Sequence, residues 1–369
     1  GTGTTTFDGA LTATTGNVLI TTNAIVLNAL VDTVTAGAGG TVTLNADTGA
    51  LTIASTGDID AAGLVDLTAA TGISTAGNIT TTGDNIDFNS AVSLTSAVDL
   101  ITADGNVAFD STIDGAQNLD ISAGAGTITF TGVVGGTTDL AAVTIDDAST
   151  VTVSSGFDAA SFTQTTGTGL TTLNGALTTA GNVAITATGV TVNQGITTSA
   201  DGTVSLEAGT GALTIAGDGD IGADGAVSLF GDAGIATAGS VTTTADAITF
   251  NDATTLTGDV LLDTGAGAGT VTFATTLAGT QSLGITAGTG AIDFDNTVGA
   301  GTALGAVTLT SAGNVTADNT FTAASLTQSA GTGTTTFDGA LTATTGNVLI
   351  TTNAIVLNAL VDTVTAGAG

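Results

Sequence analysis

Along most of this chain apolar side chains alternate with polar ones for a few residues, stop at a polar corner, and begin again. Val107 and Phe109 form one such pair, Ile113 stands next, Leu119 and Ile121 follow, and Ile128 and Phe130 close the series. A spacing of two puts successive side chains on opposite faces of an extended backbone, so these segments predict short, half-buried β-strands. They are rich in Thr, Val and Ile and are separated by Gly, Asn, Asp and Ser, which supply the backbone freedom and local hydrogen bonds of sharp turns. Thr, Val, Gly and Asp are poor helix formers, and no sustained helical stripe of apolar residues interrupts the pattern.

Repetition organises these strands at three scales. Residues 1–39 recur without change at 331–369, a period of 330, which marks 1–330 as one full repeat and 331–369 as the start of the next. Inside that unit Gly40 to Ile59 matches Gly202 to Ile221 at fifteen of twenty positions, so the repeat consists of two diverged halves of about 165 residues. At the finest scale Phe88, Phe109 and Phe130 are 21 residues apart, and Phe250, Phe273 and Phe294 nearly so. Division by this step gives roughly sixteen short units in a repeat, eight in each half.

Three short strands and three turns in about 21 residues predict one coil of a right-handed parallel β-helix, an all-β β-solenoid running continuously over 1–369. Each strand then pairs with its equivalents in the coils above and below, at a spacing of about 4.8 Å. The predicted core stack is Phe88, Phe109, Phe130, Phe250, Phe273, Phe294 and Phe337. An up-and-down barrel or a propeller is the alternative, but propeller blades need about 40 residues and carry aromatic signatures that this sequence lacks.

Composition narrows the chemistry further. The chain has no Lys, Arg, His, Pro, Cys, Met, Trp or Tyr, and its formal net charge is −32. Without His, Cys, Lys or Tyr the common general bases, thiol and amine nucleophiles and imidazole or thiolate metal ligands are missing, so the reading is non-enzymatic with no cofactor. A polyanion without basic residues does not bind nucleic acid through its phosphates. Abundant β-branched residues argue against disorder despite the charge. No apolar run approaches the ~18 residues of a spanning helix, and no signal peptide is visible. The sequence reads as a window of a longer polypeptide.

The motifs GNVLITTNAIVLNA (16–29), GNVAITATGVTVNQG (181–195) and TAGNITTTGDNIDFN (75–89) resemble the β-helical shafts of giant bacterial surface proteins of the filamentous-haemagglutinin type, the β-strand repeat proteins. The resemblance covers the whole chain. It implies an extracellular or cell-surface filament or adhesin shaft, associated end to end or laterally with copies of itself and carrying its adhesive domain elsewhere. The competing expectation is a surface-binding solenoid that engages ice or carbohydrate through a flat Thr-rich face, with runs such as Thr4 to Thr6, Thr80 to Thr82 and Thr242 to Thr244 as its material.

Three sets of polar residues are candidate sites. Asn28, Asn89, Asp110, Asn174, Asn193, Asn251, Asp295 and Asp338 each follow an inward Phe or aliphatic position and predict a stacked turn ladder. Asp218, Asp220 and Asp224, with Asp58 and Asp60 in the first half, are the oxygen-only Ca²⁺ candidates, although no EF-hand or nonapeptide calcium pattern is completed. Non-specific Ca²⁺ or Mg²⁺ bridging of carboxylates is a further expectation. Asp146 and Asp147 are adjacent carboxylates of the kind glycoside cleavage uses, but strand neighbours point to opposite faces and no Arg, Lys or His is present to bind an acidic sugar; Glu207 stands alone, and Asn78 and Asn314 begin N-x-T sequons.

Overall fold

The computed structural model describes residues 3–34 and 39–363, and every regular element in it is a β-strand. Consecutive strands do not pair with one another. Ile79–Thr81, Ile86–Phe88 and Val92–Leu94 lie on three successive sheets, and the chain then returns to the first of them at Val98–Ile101. Pairing is parallel and joins one coil to the next: Ile86, Asp87 and Phe88 face Val107, Ala108 and Phe109, which face Ile128, Thr129 and Phe130. The architecture is a parallel β-solenoid with three sheets per coil.

The step between coils is not constant. Ile73 pairs with Val92, a step of 19, whereas Val31 pairs with Ile59, a step of 28. Strand positions are held by the ladder, so additions accumulate at corners, where a longer excursion disturbs no pairing. Residues 35–38, inside the longest excursion, lie outside the described residues.

Alternation places the core on the axis of each stack. Phe88 and Phe109 stack with centroids 4.7 Å apart and planes 5° apart, and Phe109 and Phe130 follow at 5.4 Å. Phe250, Phe273 and Phe294 repeat this at 4.8 and 5.5 Å. The ring-over-ring spacing matches the rise between paired strands, so identical residues in register stack face on. Each stack is closed edge-on by further rings, the first by Phe157 and Phe162 and the second by Phe321 and Phe337, so Phe337, expected in the face-on stack, is buried but packs edge-on against Phe321. Inward, buried Thr residues bond back to the turn, as Thr102 Oγ1 does to the Gly105 carbonyl at 2.5 Å and Thr264 Oγ1 to the Gly269 carbonyl at 3.0 Å.

The chain divides into two units, Gly1–Thr179 with Ile185–Ala187, and Ala180–Ala184 with Thr188–Gly369. Within each, the half repeat and the coil are out of step. In the first unit Thr4–Phe7 begins the first sheet, but its sequence counterpart Leu170–Leu173 is the eighth strand of the third sheet, whose earlier members run from Val18–Thr22 to Thr150–Val153. The half repeat is therefore seven coils and two-thirds of an eighth, not eight. The second unit behaves identically: Gly189–Val192 pairs with Leu213–Ile215, while its counterpart Ala354–Leu357 stands in the neighbouring sheet on Thr334–Phe337. No helix among the described residues is long and apolar enough to cross a membrane.

Candidate functional site

The most regular polar feature is a three-residue corner, Gly followed by Asn or Asp followed by Val or Ile. It occurs as Gly57-Asp58-Ile59, Gly77-Asn78-Ile79, Gly105-Asn106-Val107, Gly219-Asp220-Ile221 and Gly313-Asn314-Val315. Each position has its own task. The Gly lies against the coil below: a Cβ on Gly105 would stand 2.2 Å from the Asp84 carbonyl oxygen, and one on Gly57 2.5 Å from that of Leu27. The Asn or Asp side chain accepts a backbone N–H from the coil above. Asp58 Oδ1 accepts from Asn78 at 2.8 Å, Asn78 Oδ1 from Asp99 at 2.9 Å, Asn106 Oδ1 from Thr127 at 2.8 Å, Asp220 Oδ1 from Ser240 at 2.7 Å and Asn314 Oδ1 from Thr334 at 2.9 Å. The Val or Ile then turns inward and is buried. These corners satisfy amides that the strand ladder does not reach, and so clamp coil to coil. The sequons at Asn78 and Asn314 fall on this clamp, which commits both carboxamides to it.

The predicted turn ladder occupies a different corner, immediately after the inward residue. There the backbone N–H makes the regular contact: Asn89 donates to Leu67 O at 3.0 Å, Asp110 to Phe88 O at 3.0 Å, Asn174 to Val153 O at 2.8 Å, Asn251 to Leu229 O at 2.9 Å, Asp295 to Phe273 O at 3.1 Å and Asp338 to Ala317 O at 2.9 Å. Any residue can do this, and Thr131, Ser154 and Ala274 do so in the same rows. Where the side chain is an amide it too reaches the preceding coil, Asn89 Nδ2 donating to Asp66 Oδ1 at 2.6 Å and Asn251 Nδ2 to Leu229 O at 3.1 Å. Asn28 belongs to the first sheet, where its Nδ2 donates to Asp8 Oδ1 at 2.7 Å. Asn193 follows the inward Val192 and is half-buried.

The Ca²⁺ candidates are spread along the stacks. Besides Asp58 and Asp220 in the clamp, Asp224 accepts the Asp201 N–H at 2.9 Å and the Thr244 hydroxyl at 2.7 Å, and these two bonds hold its carboxyl below the ordinary value. Asp218 is exposed. Among the described residues no three acidic side chains converge in a metal-holding group. Several carboxylates do face one another across neighbouring strands, as Asp32 and Asp60, Asp66 and Asp87, and Asp99 and Asp120 do in register. Partial burial, then the charges of Asp32 and Asp58, push Asp60 up. Burial, then Asp66 and Asp110, do the same to Asp87.

Asp146 is the extra residue of a β-bulge, since Ile121 pairs with Ile145 and Ser122 already with Asp147. The bulge turns Asp147 back onto the preceding coil. The Ser122 hydroxyl at 2.7 Å and the Gly124 N–H at 2.9 Å lower its carboxyl most, against burial, with the Ala123 N–H adding to them. Glu207 lies on the outer surface opposite Phe230. Outward hydroxyls form columns, but short ones: Ser205, Ser228, Thr249 and Thr272 follow one another until Asp293, and Thr52, Ser74 and Ser93 until Asp114. Two buried polar pairs that periodicity did not single out stand at equivalent places. Thr171 Oγ1 donates to Gln164 Oε1 at 2.7 Å and Thr335 Oγ1 to Gln328 Oε1 at 2.8 Å, while both glutamine Nε2 atoms are buried without a partner. Comparison with protein-family models, characterised proteins and solved structures finds no match to this chain.

Proposed function

We propose that the chain is a structural shaft segment of a repetitive extracellular or cell-surface fibre or giant adhesin of bacterial type, non-enzymatic and built from copies of its own repeat. What supports this reading above all is the mismatch between repeat and coil. Inward residues keep the core unbroken within each unit, whereas equivalent outward residues move to a neighbouring sheet every half repeat. A one-sided ligand surface needs a whole number of coils per repeat so that its side chains stay aligned. A shaft needs only an unbroken core and clamped corners. The outward hydroxyl columns are interrupted by Asp, as at Asp293 and Asp114, or by Ala, Val or Leu, as at Ala236, Val356 and Leu349, which also favours the shaft over an ice- or carbohydrate-binding face.

Rigidity follows from the coil-to-coil clamp, because bending must break a corner bond or separate paired strands. A half repeat of seven and two-thirds coils rises about 37 Å at ~4.8 Å per coil. Negative-stain microscopy of arrays with one, two and three repeats tests the reading. Particle length should grow in proportion to repeat number at constant width. Particles that grow in all directions, or bend freely at every repeat, would remove the shaft.

A further inference from the structure

Composition leaves this chain without the usual covalent staples, since it has no Cys for a disulfide and no Lys for an amide cross-link. What it does have, twice, is a threonine hydroxyl held against a glutamine carboxamide inside the core. Gln164 lies on Phe157–Gly167, paired with Ile145 of the preceding coil, and Thr171 on Leu170–Leu173, paired with Val151. Gln328 and Thr335 repeat this in the second half, paired with Leu309 and Val315. The ladder thus fixes both ends of each pair. At hydrogen-bond distances of 2.7 and 2.8 Å each hydroxyl oxygen is within about 4 Å of the carboxamide carbon, close to the ~3–3.5 Å of a near-attack arrangement. Thr171 is 0 % exposed and Gln164, Gln328 and Thr335 are each 1 % exposed, so the pairs are dry. Each Nε2 is buried without a partner, and its departure would break no hydrogen bond while removing a costly buried donor. It lies against a glycine: a Cβ on Gly167 would stand 2.5 Å from Gln164 Nε2, and one on Gly331 2.6 Å from Gln328 Nε2. Both halves hold Gln, Gly and Thr at this spacing while residues between them differ, Thr165 and Thr166 against Ser329 and Ala330, and Leu170 against Thr334.

We propose that Thr171 with Gln164, and Thr335 with Gln328, are sites of intramolecular ester cross-links. The threonine Oγ1 attacks the glutamine Cδ and forms the C–O bond, the hydroxyl proton passes to Nε2, the Cδ–Nε2 bond breaks, and ammonia leaves. Nothing is oxidised or reduced, and no co-reactant is consumed. Among the described residues no ionisable side chain bonds to either member of a pair, whose side-chain hydrogen bond is to each other. The step therefore draws on proximity and the exclusion of water, and it is a slow maturation of the folded chain. Until it occurs the pair is a net cost through its unpartnered nitrogen. Once formed, the ester ties one strand to the next across a corner, at one place in each half repeat, where the dry surroundings protect it from hydrolysis. The chemistry is independent of the shaft reading, and a covalently closed corner suits a chain under tension.

The intact mass of the full chain tests it. Chain freshly refolded from urea should have the mass of its sequence, and incubation at neutral pH over weeks should remove one ammonia and then a second, while a sample kept in urea loses neither. Fragmentation of the matured chain should yield no sequence ions from within 164–171 or 328–335, and mild alkali in urea should reopen each link and leave a glutamate in place of the glutamine. Thr171→Val should keep one of the two losses and Thr171→Val/Thr335→Val neither, whereas Thr171→Ser should keep both. Where a variant does not fold, mapping of the loss in the parent decides the matter. An unchanged parent mass overturns the proposal. So does a loss that proceeds equally in urea, survives Thr171→Val/Thr335→Val, or maps to Asn174-Gly175, where it is a backbone succinimide. Any of these leaves the shaft reading standing, because particle length in microscopy does not depend on the link.

Discussion

Replacing Gly105 by Ala adds one methyl group and, on the geometry of the corner, unseats a coil. The new Cβ would lie 2.2 Å from the Asp84 carbonyl oxygen, 2.3 Å from its carbon and 3.0 Å from the Asn85 nitrogen. All three are backbone atoms of the coil below, which cannot rotate aside as a side chain does. Relief requires two strands to part by about 1 Å from their ~4.8 Å spacing. It also stretches the Asn106 N–H bond to Asn85 Oδ1 and the Ile86 N–H bond to Asn106 O, both 2.9 Å. Overpacking of this kind costs about 1–3 kcal/mol and a weakened hydrogen bond about 1 kcal/mol, so Gly105→Ala should destabilise the first unit by about 2–4 kcal/mol. Gly16 opens the same motif in the first coil, where nothing lies within 4 Å of an added Cβ. Gly16→Ala should therefore stay within about 0.5 kcal/mol of the parent. Urea denaturation compares the two variants, and amide exchange at Ile86 and Asn106 locates the effect. Equal destabilisation by both would show that the motif needs glycine for its backbone conformation and not for the close approach, and would refute the clamp as argued.

Three further outcomes follow from the same geometry. Asp60, Asp87 and Asp293 have carboxyls raised above the ordinary 3.8, chiefly by burial and then by neighbouring carboxylates. Their contribution is present below that value and is lost as pH rises through the folded values, so melting temperature should increase as pH falls from 7 toward the ordinary carboxylate range, and Asp60→Asn should reduce the increase. Asp147 and Asp224 are lowered and act oppositely, which should turn the curve down again below 3.8; a profile flat between pH 7 and 3.8 would contradict the carboxylate pairing. Replacing Gln164 with Leu and Thr171 with Val together removes a buried, unpartnered amide nitrogen along with the bond beside it, and should stabilise by about 1–2 kcal/mol in urea, whereas Thr171→Val alone should destabilise. With net charge −32 and no basic residue, millimolar Ca²⁺ should bundle copies laterally through aspartates on neighbouring surfaces, reversibly with chelator; light scattering that stays flat through about 10 mM would exclude this bridging.

The fold was legible because strand periodicity and the 21-residue phenylalanine step are direct images of the pleat and of coil-to-coil registry. Phe88, Phe109 and Phe130 could be placed from spacing alone, because a residue repeated once per coil must stack on itself. Phe157, Phe162 and Phe321 could not, because they cross the end of each stack edge-on and keep no such interval. The corner chemistry was visible yet harder to assign. Polar residues follow inward residues as regularly as they precede them, and only three-dimensional geometry distinguishes Asn106, whose side chain bridges two coils, from Asp110, whose backbone does. The preceding Gly carried the missing signal: Gly before Asn or Asp marks the point where one coil rests on the carbonyl of another. The fractional coil count was beyond spacing arguments, since steps between 19 and 28 residues average close to 21 whether a half repeat holds eight coils or somewhat fewer.

That fraction bears on how the surface can work. With seven and two-thirds coils in a half repeat, a feature on one sheet reappears one sheet away in the next half, and three halves are needed before it returns to the same sheet. A mutation that creates an outward binding residue is therefore spread over all three sheets as the repeat is copied, while one that spoils an inward position spoils a single core at regular intervals. Duplication acts on the two kinds of position in opposite ways. It multiplies the consequences of the core along one axis and dilutes those of any surface patch around it. A sequence elongated by such duplication is held to its Phe, Val, Leu and Ile positions and to its Gly-Asn corners, and is free elsewhere to accumulate Thr, Ser and Asp. That is the division seen between the buried Phe109 column, which stacks ring on ring, and the outward column beside it, where Asp87, Ala108 and Thr129 succeed one another without a common chemistry.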